Sequence, residues 1–231
     1  MDIAHAIKEA KTLIVEKKVE RATDILNNAL NALKTEPPSD LSQNELLLIE
    51  GEIQEALGDT KSATGKDQEA LSHLLMAMTQ LETYESQAGI APNEQLFRVF
   101  RKLSDAFNRI GQQFEAEKYM RKAGETKSGI LKHELAKRLR QAGYKIKENI
   151  KAIETEASPV DIMAEKGGLL KKNRIAIWFA MDESEVDTIA FITKGYAKYA
   201  KDRYIILLMG QATFPTLEGA RIIHSIDNIK F

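Results

Sequence analysis

Leu103-Ser104-Asp105-Ala106-Phe107-Asn108-Arg109-Ile110-Gly111, followed by Phe114-Glu115-Ala116 and Tyr119-Met120-Arg121-Lys122-Ala123, decides how the first half of the chain folds. A small residue stands at Ser104, a glycine at Gly111 and alanines at Ala116 and Ala123. Apolar side chains recur three and four residues apart, the period of one helix face. Glycine adopts a left-handed backbone without steric cost, so Gly111 ends one helix and allows a second to start. Small residues at the other places let the two helices approach closely. The stretch predicts a helical hairpin.

Working outward, the same frame fits twice more. Gly51, Gly58, Ala63 and Ala70 keep the spacing of Ser104, Gly111, Ala116 and Ala123, and so do Ala10, Lys17, Ala22 and Ala29. Lys17 is the weak point, because a turn glycine is expected there. Pro37-Pro38-Ser39-Asp40 and Gly89-Ile90-Ala91-Pro92-Asn93 break the helical pattern between hairpins. With Met120 as its large residue beside Tyr119, the pattern resembles the tetratricopeptide repeat. That family repeats about every 34 residues. Here the spacing is wider, with extra residues near Pro37 and from Tyr84 to Asn93. The resemblance implies stacked hairpins whose first helices line a concave face, and such a face takes a protein or peptide partner. Register places Lys8, Lys11, Glu45, Glu50, Gln54, Arg98, Arg101 and Asp105 there. Of these, Lys8, Lys11, Glu50, Gln54 and Arg101 are the expected partner-binding residues.

The pattern changes after residue 128. Leu131, Leu135, Leu139 and Ala142 form one helical stripe ending at Gly143. Tyr144–Ile150 alternates with period two and reads as a strand. Val160–Ala164 and Arg174–Ala180 read as two more strands. Ser184–Lys201 reads as a helix and Tyr204–Met209 as a buried strand. A short helix over Leu217–Ile222 and a strand over Asn228–Phe231 follow. Gly167-Gly168 marks a hairpin turn. The expected fold class is α + α/β: helical hairpin repeats over 1–128, then a small α/β domain over 129–231 with a mixed central sheet.

This order of elements resembles the restriction-endonuclease-like (PD-(D/E)XK) fold of Mg²⁺-dependent nucleases. Glu134 on the first helix, Ala142-Gly143-Tyr144, Pro159-Val160-Asp161 and Arg174-Ile175-Ala176-Ile177 carry the likeness. The resemblance makes Glu134 and Asp161 remnants of a catalytic site. Active members carry an acid, any residue and a lysine on the third strand, where this chain has Trp178-Phe179-Ala180. Period two puts Trp178 and Ala180 on one face, expected beside Asp161. Indole and alanine offer Mg²⁺ no hard oxygen ligand. The expectation is therefore no metal, no cofactor and no cleavage. Relocated residues, from Asp182, Glu183 and Glu185 with Lys194 or Lys198, are the enzymatic alternative.

Nucleic-acid binding is a further alternative. Residues 129–231 hold 17 Lys and Arg against 13 Asp and Glu, a balance of +4 in a chain of net charge −1, so the first 128 residues carry −5. Lys132, Lys137, Arg138, Arg140, Lys145, Lys147 and Lys151 cluster in sequence, with Lys171, Lys172 and Arg174 as a second group. Lys137, Arg138, Arg140, Lys145 and Lys147 are the expected phosphate contacts, and Trp178 a stacking platform unless it belongs to the core. The chain has no cysteine, which removes disulfides and thiolate chemistry. The four histidines show no ligand spacing. No apolar run nears the roughly 20 residues of a membrane span, and the first residues do not read as a signal peptide, so a cytoplasmic, non-catalytic adaptor is expected. A homo-oligomer is compatible with these features.

Overall fold

The computed structural model describes residues 2–89, 93–150, 160–167, 172–210 and 215–229. The chain divides into two compact units, Met1–Thr126 and Lys127–Phe231. Six helices come first: α1 (Ile3–Val15), α2 (Val19–Thr35), α3 (Gln43–Ala63), α4 (Asp67–Ala88), α5 (Glu94–Arg109) and α6 (Gln113–Gln141). The division between the units falls within α6. Strands β1 (Lys145–Ile150), β2 (Val160–Gly167) and β3 (Lys172–Ala180) follow, then α7 (Glu183–Gly195), β4 (Asp202–Leu207), β5 (Thr216–Leu217) and β6 (Ala220–Ile223).

In the first unit the helices pair as α1–α2, α3–α4 and α5 with the start of α6. Side chains cap the first helix of each hairpin: Asp2 accepts from His5 N, Ser42 and Glu45 form a capping box, and Asn93 accepts from Leu96 N. Each of these helices then ends on the same kind of backbone bond. Lys18 N donates to Leu13 O, Lys66 N to Lys61 O and Gln112 N to Phe107 O. This is a Schellman turn around a left-handed residue: Lys17 (φ 61), Gly65 (φ 71) and Gly111 (φ 77).

The turns correct the repeat frame. Gly65, not Gly58, is the counterpart of Lys17 and Gly111, so the second repeat slides by seven residues. Gly58 then matches Ala10 and Ser104, Ala70 matches Ala22 and Ala116, and Ala77 matches Ala29 and Ala123. All of these are buried, whereas Ala63 is exposed. Equivalent places are now 48 and 46 residues apart, a more even repeat than the first frame gives. Gly58 lies where α3 and α4 pack closely. A Cβ built there would come within 2.8 Å of Leu74 Cγ.

The second unit is built on a sheet of order β1-β2-β3-β4-β6-β5. β1, β2 and β3 form an antiparallel meander, and α7 carries the chain to β4, which runs parallel to β3. β6 is parallel to β4 and antiparallel to β5. The end of α6 covers one face, packing Leu135 and Leu139 on Ile162, Ile177, Tyr204 and Ile206. On the other face Val186 and Ala190 of α7 meet Ala180, Ile205 and Leu207.

Two elements differ from expectation. Leu217–Ile222 is not a helix, because Glu218 and Gly219 both take positive φ (51 and 78) and make a tight turn between β5 and β6. Ile226–Asn228 is a 3₁₀ turn capped by Ser225 rather than the start of a strand. The expected strand's last residues, 230 and 231, lie outside the described residues. So do Lys151, Pro159, Gly168, Lys171 and most of the break at 90–92. The helix α7 stops at Gly195 instead of Lys201, since Tyr196 turns inward and packs edge-on against Trp178, ring centroids 5.3 Å apart.

Candidate functional site

The first helix of each hairpin projects charged residues that the hairpin packing does not use. With the frame corrected, Lys11, Asp59 and Asp105 are equivalent, as are Glu55 and Arg101, and Glu52 and Arg98. The middle helix α3 is acidic along this face and its neighbours are basic. Lys11 Nζ meets Glu52 at 2.5 Å. Glu55, only 1% exposed, takes Lys102 at 2.8 Å and Arg98 at 3.3 Å, and Lys102 also reaches Asp59 at 2.7 Å. Burial pushes the Glu55 carboxyl up, but Lys102 and Arg98 outweigh it and hold it below the ordinary range. Asp59 has only a share of Lys102, and burial raises it.

The partner-binding residues expected from sequence divide three ways. Lys8 is exposed and Arg101 is exposed over the Phe97 ring, so both remain available. Lys11 is on the face but engaged with Glu52. Gln54 is not on it: it is 3% exposed, its amide oxygen 2.8 Å from His73 Nδ1, because its equivalents Ala6 and Phe100 are buried packing positions. Glu50 is half-buried and lies 3.7 Å from Lys34 of α2, and Glu45 serves the α3 capping box. Glu52, Glu55, Asp59 and Lys102 were missed. The signal for them was Gly65, which puts the α3 acids level with Arg98, Arg101 and Asp105. At the end of the same helices Val15 is 83% exposed and, with Ile14 and Ala63, borders a groove of about 860 Å³.

In the second unit the expected neighbours of Asp161 are wrong. Trp178 and Ala180 face α7, where Trp178, 2% exposed, packs with Tyr196 and Ala200. It is core and unavailable for stacking on a base. The β2–β3 ladder ends at Ile162↔Ile177, and beyond it Phe179 N donates to Asp161 Oδ2 at 3.0 Å. Asp161 Oδ1 pairs with Lys132 of α6 at 2.5 Å, and the Lys132 ammonium lies 5.6 Å from the Phe179 ring centre. Glu134 pairs with Arg138 one turn on, and Arg138 also holds Asp227. A Mg²⁺ ion does not fit this donor set: both Asp161 oxygens already have donors, Phe179 N–H and Lys132, and the described residues bring no three His, Asp or Glu side chains together as a metal site. The alternative acids are committed too. Asp182 caps α7 through Ser184 N, Glu185 accepts from Met181 N, and Lys194 pairs with Glu218.

The basic residues expected to contact phosphate do not form one patch. Arg138 is neutralised by Glu134 and Asp227, and Arg140 lies 3.7 Å from Glu148. Lys137 is exposed on α6. Ile146 packs into the α6-side core, so Lys145 and Lys147, one residue either side of it, point to the opposite face.

No family model matches the chain, and no curated protein matches it. Among solved structures it is similar to the TPR domain of Arabidopsis FLU, with a TM-score of 0.42 and 17% identity over 52% of this chain and 90% of that one. The tetratricopeptide-like frame rests on the array's own turns and buried small residues. No helix among the described residues is long and apolar enough to cross a membrane.

Proposed function

We propose that the chain is a non-catalytic adaptor that holds a protein partner on the first-helix face of its array. One observation carries this reading: α1, α3 and α5 share a frame, and their common face keeps side chains that stabilise no hairpin. Lys8 and Arg101 are charged and exposed there, and Val15 adds an apolar contact. This chemistry suits a segment bearing carboxylates and an aliphatic side chain. The paired acids of α3 lie between the basic helices and keep the face from being uniformly positive.

The second unit is read as a restriction-endonuclease-like fold without its chemistry. Its support is the strand order, the antiparallel meander followed by a helical crossover to a parallel strand, and Asp161 tied to Lys132 and Phe179 N–H. A lysine beside the remnant aspartate neutralises it where an active site would need a metal to do so.

Capture experiments with the full chain test the adaptor role. The wild type should retain a reproducible partner that Lys8→Glu with Arg101→Glu loses at unchanged helicity. Retention of the same partner by the double variant would contradict the proposal.

A further inference from the structure

One end of the central sheet gathers charge in a way that neither folding nor the array explains. The end of β2 (Lys166, Gly167), the start of β3 (Lys172, Asn173, Arg174), the segment after α7 and the start of β4 enclose a cleft of about 970 Å³. It lies at the opposite end of β2 and β3 from Asp161. Six cations line it: Lys166, Lys172, Arg174, Lys198, Lys201 and Arg203. Its one lining carboxylate among the described residues is Asp202, which leans toward Arg221 at 3.9 Å.

The partners account for only part of this charge. Lys172 and Arg174 share Glu165, at 2.9 and 2.8 Å, and hold its carboxyl down to about 2. Lys166 Nζ donates to the Ala142 carbonyl at 2.7 Å, a neutral acceptor. Arg203 Nη1 donates to the Thr193 carbonyl at 2.8 Å, also neutral, while its enclosed Nε meets no acceptor among the described residues. Gly219 leaves room for that guanidinium, since a Cβ there would lie 2.6 Å from Nη2. Lys198 and Lys201 are exposed, and neither pairs with a carboxylate among the described residues. Four of the six cations thus make no ion pair with a carboxylate among the described residues. Edge protection explains many sheet lysines, but β3 and β4 are interior strands. Like charges held together in a concave site repel, and an anion relieves that repulsion.

The row extends beyond the cleft. Lys145 stands opposite Glu165 in register, and Glu165 opposite Arg174. Lys145 and Lys147 therefore continue the same face across β1. From β1 to β4 is three strand spacings, about 14 Å, too long for one phosphate to span.

We infer that this cleft binds a ligand carrying two or more phosphate groups. Lys198, Lys201 and Arg203 take one oxyanion, and Lys172 and Arg174 the next. Arginine supplies a fork for phosphate oxygens and lysine a point charge. Two sources carry this chemistry, the backbone of a single-stranded nucleic acid and a free polyphosphate.

The full chain is titrated against a fluorescein-labelled single-stranded oligonucleotide by anisotropy and against inorganic tripolyphosphate by calorimetry, each over a salt series. At least one probe should bind, more weakly as salt rises. Lys198→Glu with Lys201→Glu should reduce that binding by roughly tenfold or more. Lys137→Glu, on the helix layer across the sheet, should leave it unchanged. Tighter binding of the oligonucleotide assigns the backbone as ligand, and tighter binding of tripolyphosphate assigns the free compound. The substituted lysines are exposed, and circular dichroism confirms that the variants fold. The inference is overturned by any of four results: no binding of either probe at low salt, binding indifferent to salt, a double variant that binds as well as the wild type, or an equal loss in Lys137→Glu.

Discussion

Lys17 is a lysine in a glycine's place. It ends α1 at φ 61, with the backbone bonds that Gly65 and Gly111 make at the ends of α3 and α5. A side chain in the left-handed region costs about 1–2 kcal/mol, and part of a replacement's gain is lost to the freedom of glycine in the unfolded chain. Lys17→Gly should therefore stabilise the protein by about 0.5–1 kcal/mol, measured as a rise in the urea midpoint at unchanged slope. A fall would mean that the Lys17 side chain makes a contact worth more than the strain. The sequence marked Lys17 as out of place, and the structure gives the reason. It did not mark Gly65, because Gly51, Gly58 and Gly65 follow one another at intervals of seven, as do Ala63, Ala70 and Ala77. Seven residues are nearly two helical turns. A slip of that size keeps every small residue on nearly the same face, so spacing alone cannot choose between the frames. Only the left-handed turn does.

At the scale of elements, the corrected frame makes a sharp distinction between two alanines. Ala70 is fully buried at the place of Ala22 and Ala116, and Ala63 is exposed at the end of α3. Ala70→Leu should cost about 1–3 kcal/mol by overpacking between helices. Ala63→Leu should change stability by less than about 0.5 kcal/mol. The reverse ranking in chemical denaturation would restore the first frame. Strands β1 to β4 were legible because alternation or a continuous apolar run marks each. The β5–β6 hairpin was not. Thr216-Leu217 is too short to alternate, and Leu217, Ala220 and Ile222 can be read at helical spacing. Glu218-Gly219 was the available signal, a two-residue turn where a helix would need both φ values negative. The surroundings of Asp161 were missed for a related reason. Period two holds along β3, but β2 joins the ladder with β3 only at Ile162, one residue after Asp161, and no residue type announces that late start.

At the scale of the molecule, the split between a −5 first part and a +4 remainder matches two different kinds of surface. The array arranges its charges in pairs across α1, α3 and α5 and leaves a few at the margins. The sheet unit gathers six cations in one cleft, and only Lys172 and Arg174 pair with a carboxylate among the described residues. The central claim is that the first-helix face of the array holds a protein. Hydrogen–deuterium exchange of the chain, alone and with its captured partner, tests it most directly. Protection should rise in α1, α3 and α5 and stay unchanged in α2 and α4. Protection that rises only in α2 and α4, or only within residues 127–231, would contradict the claim.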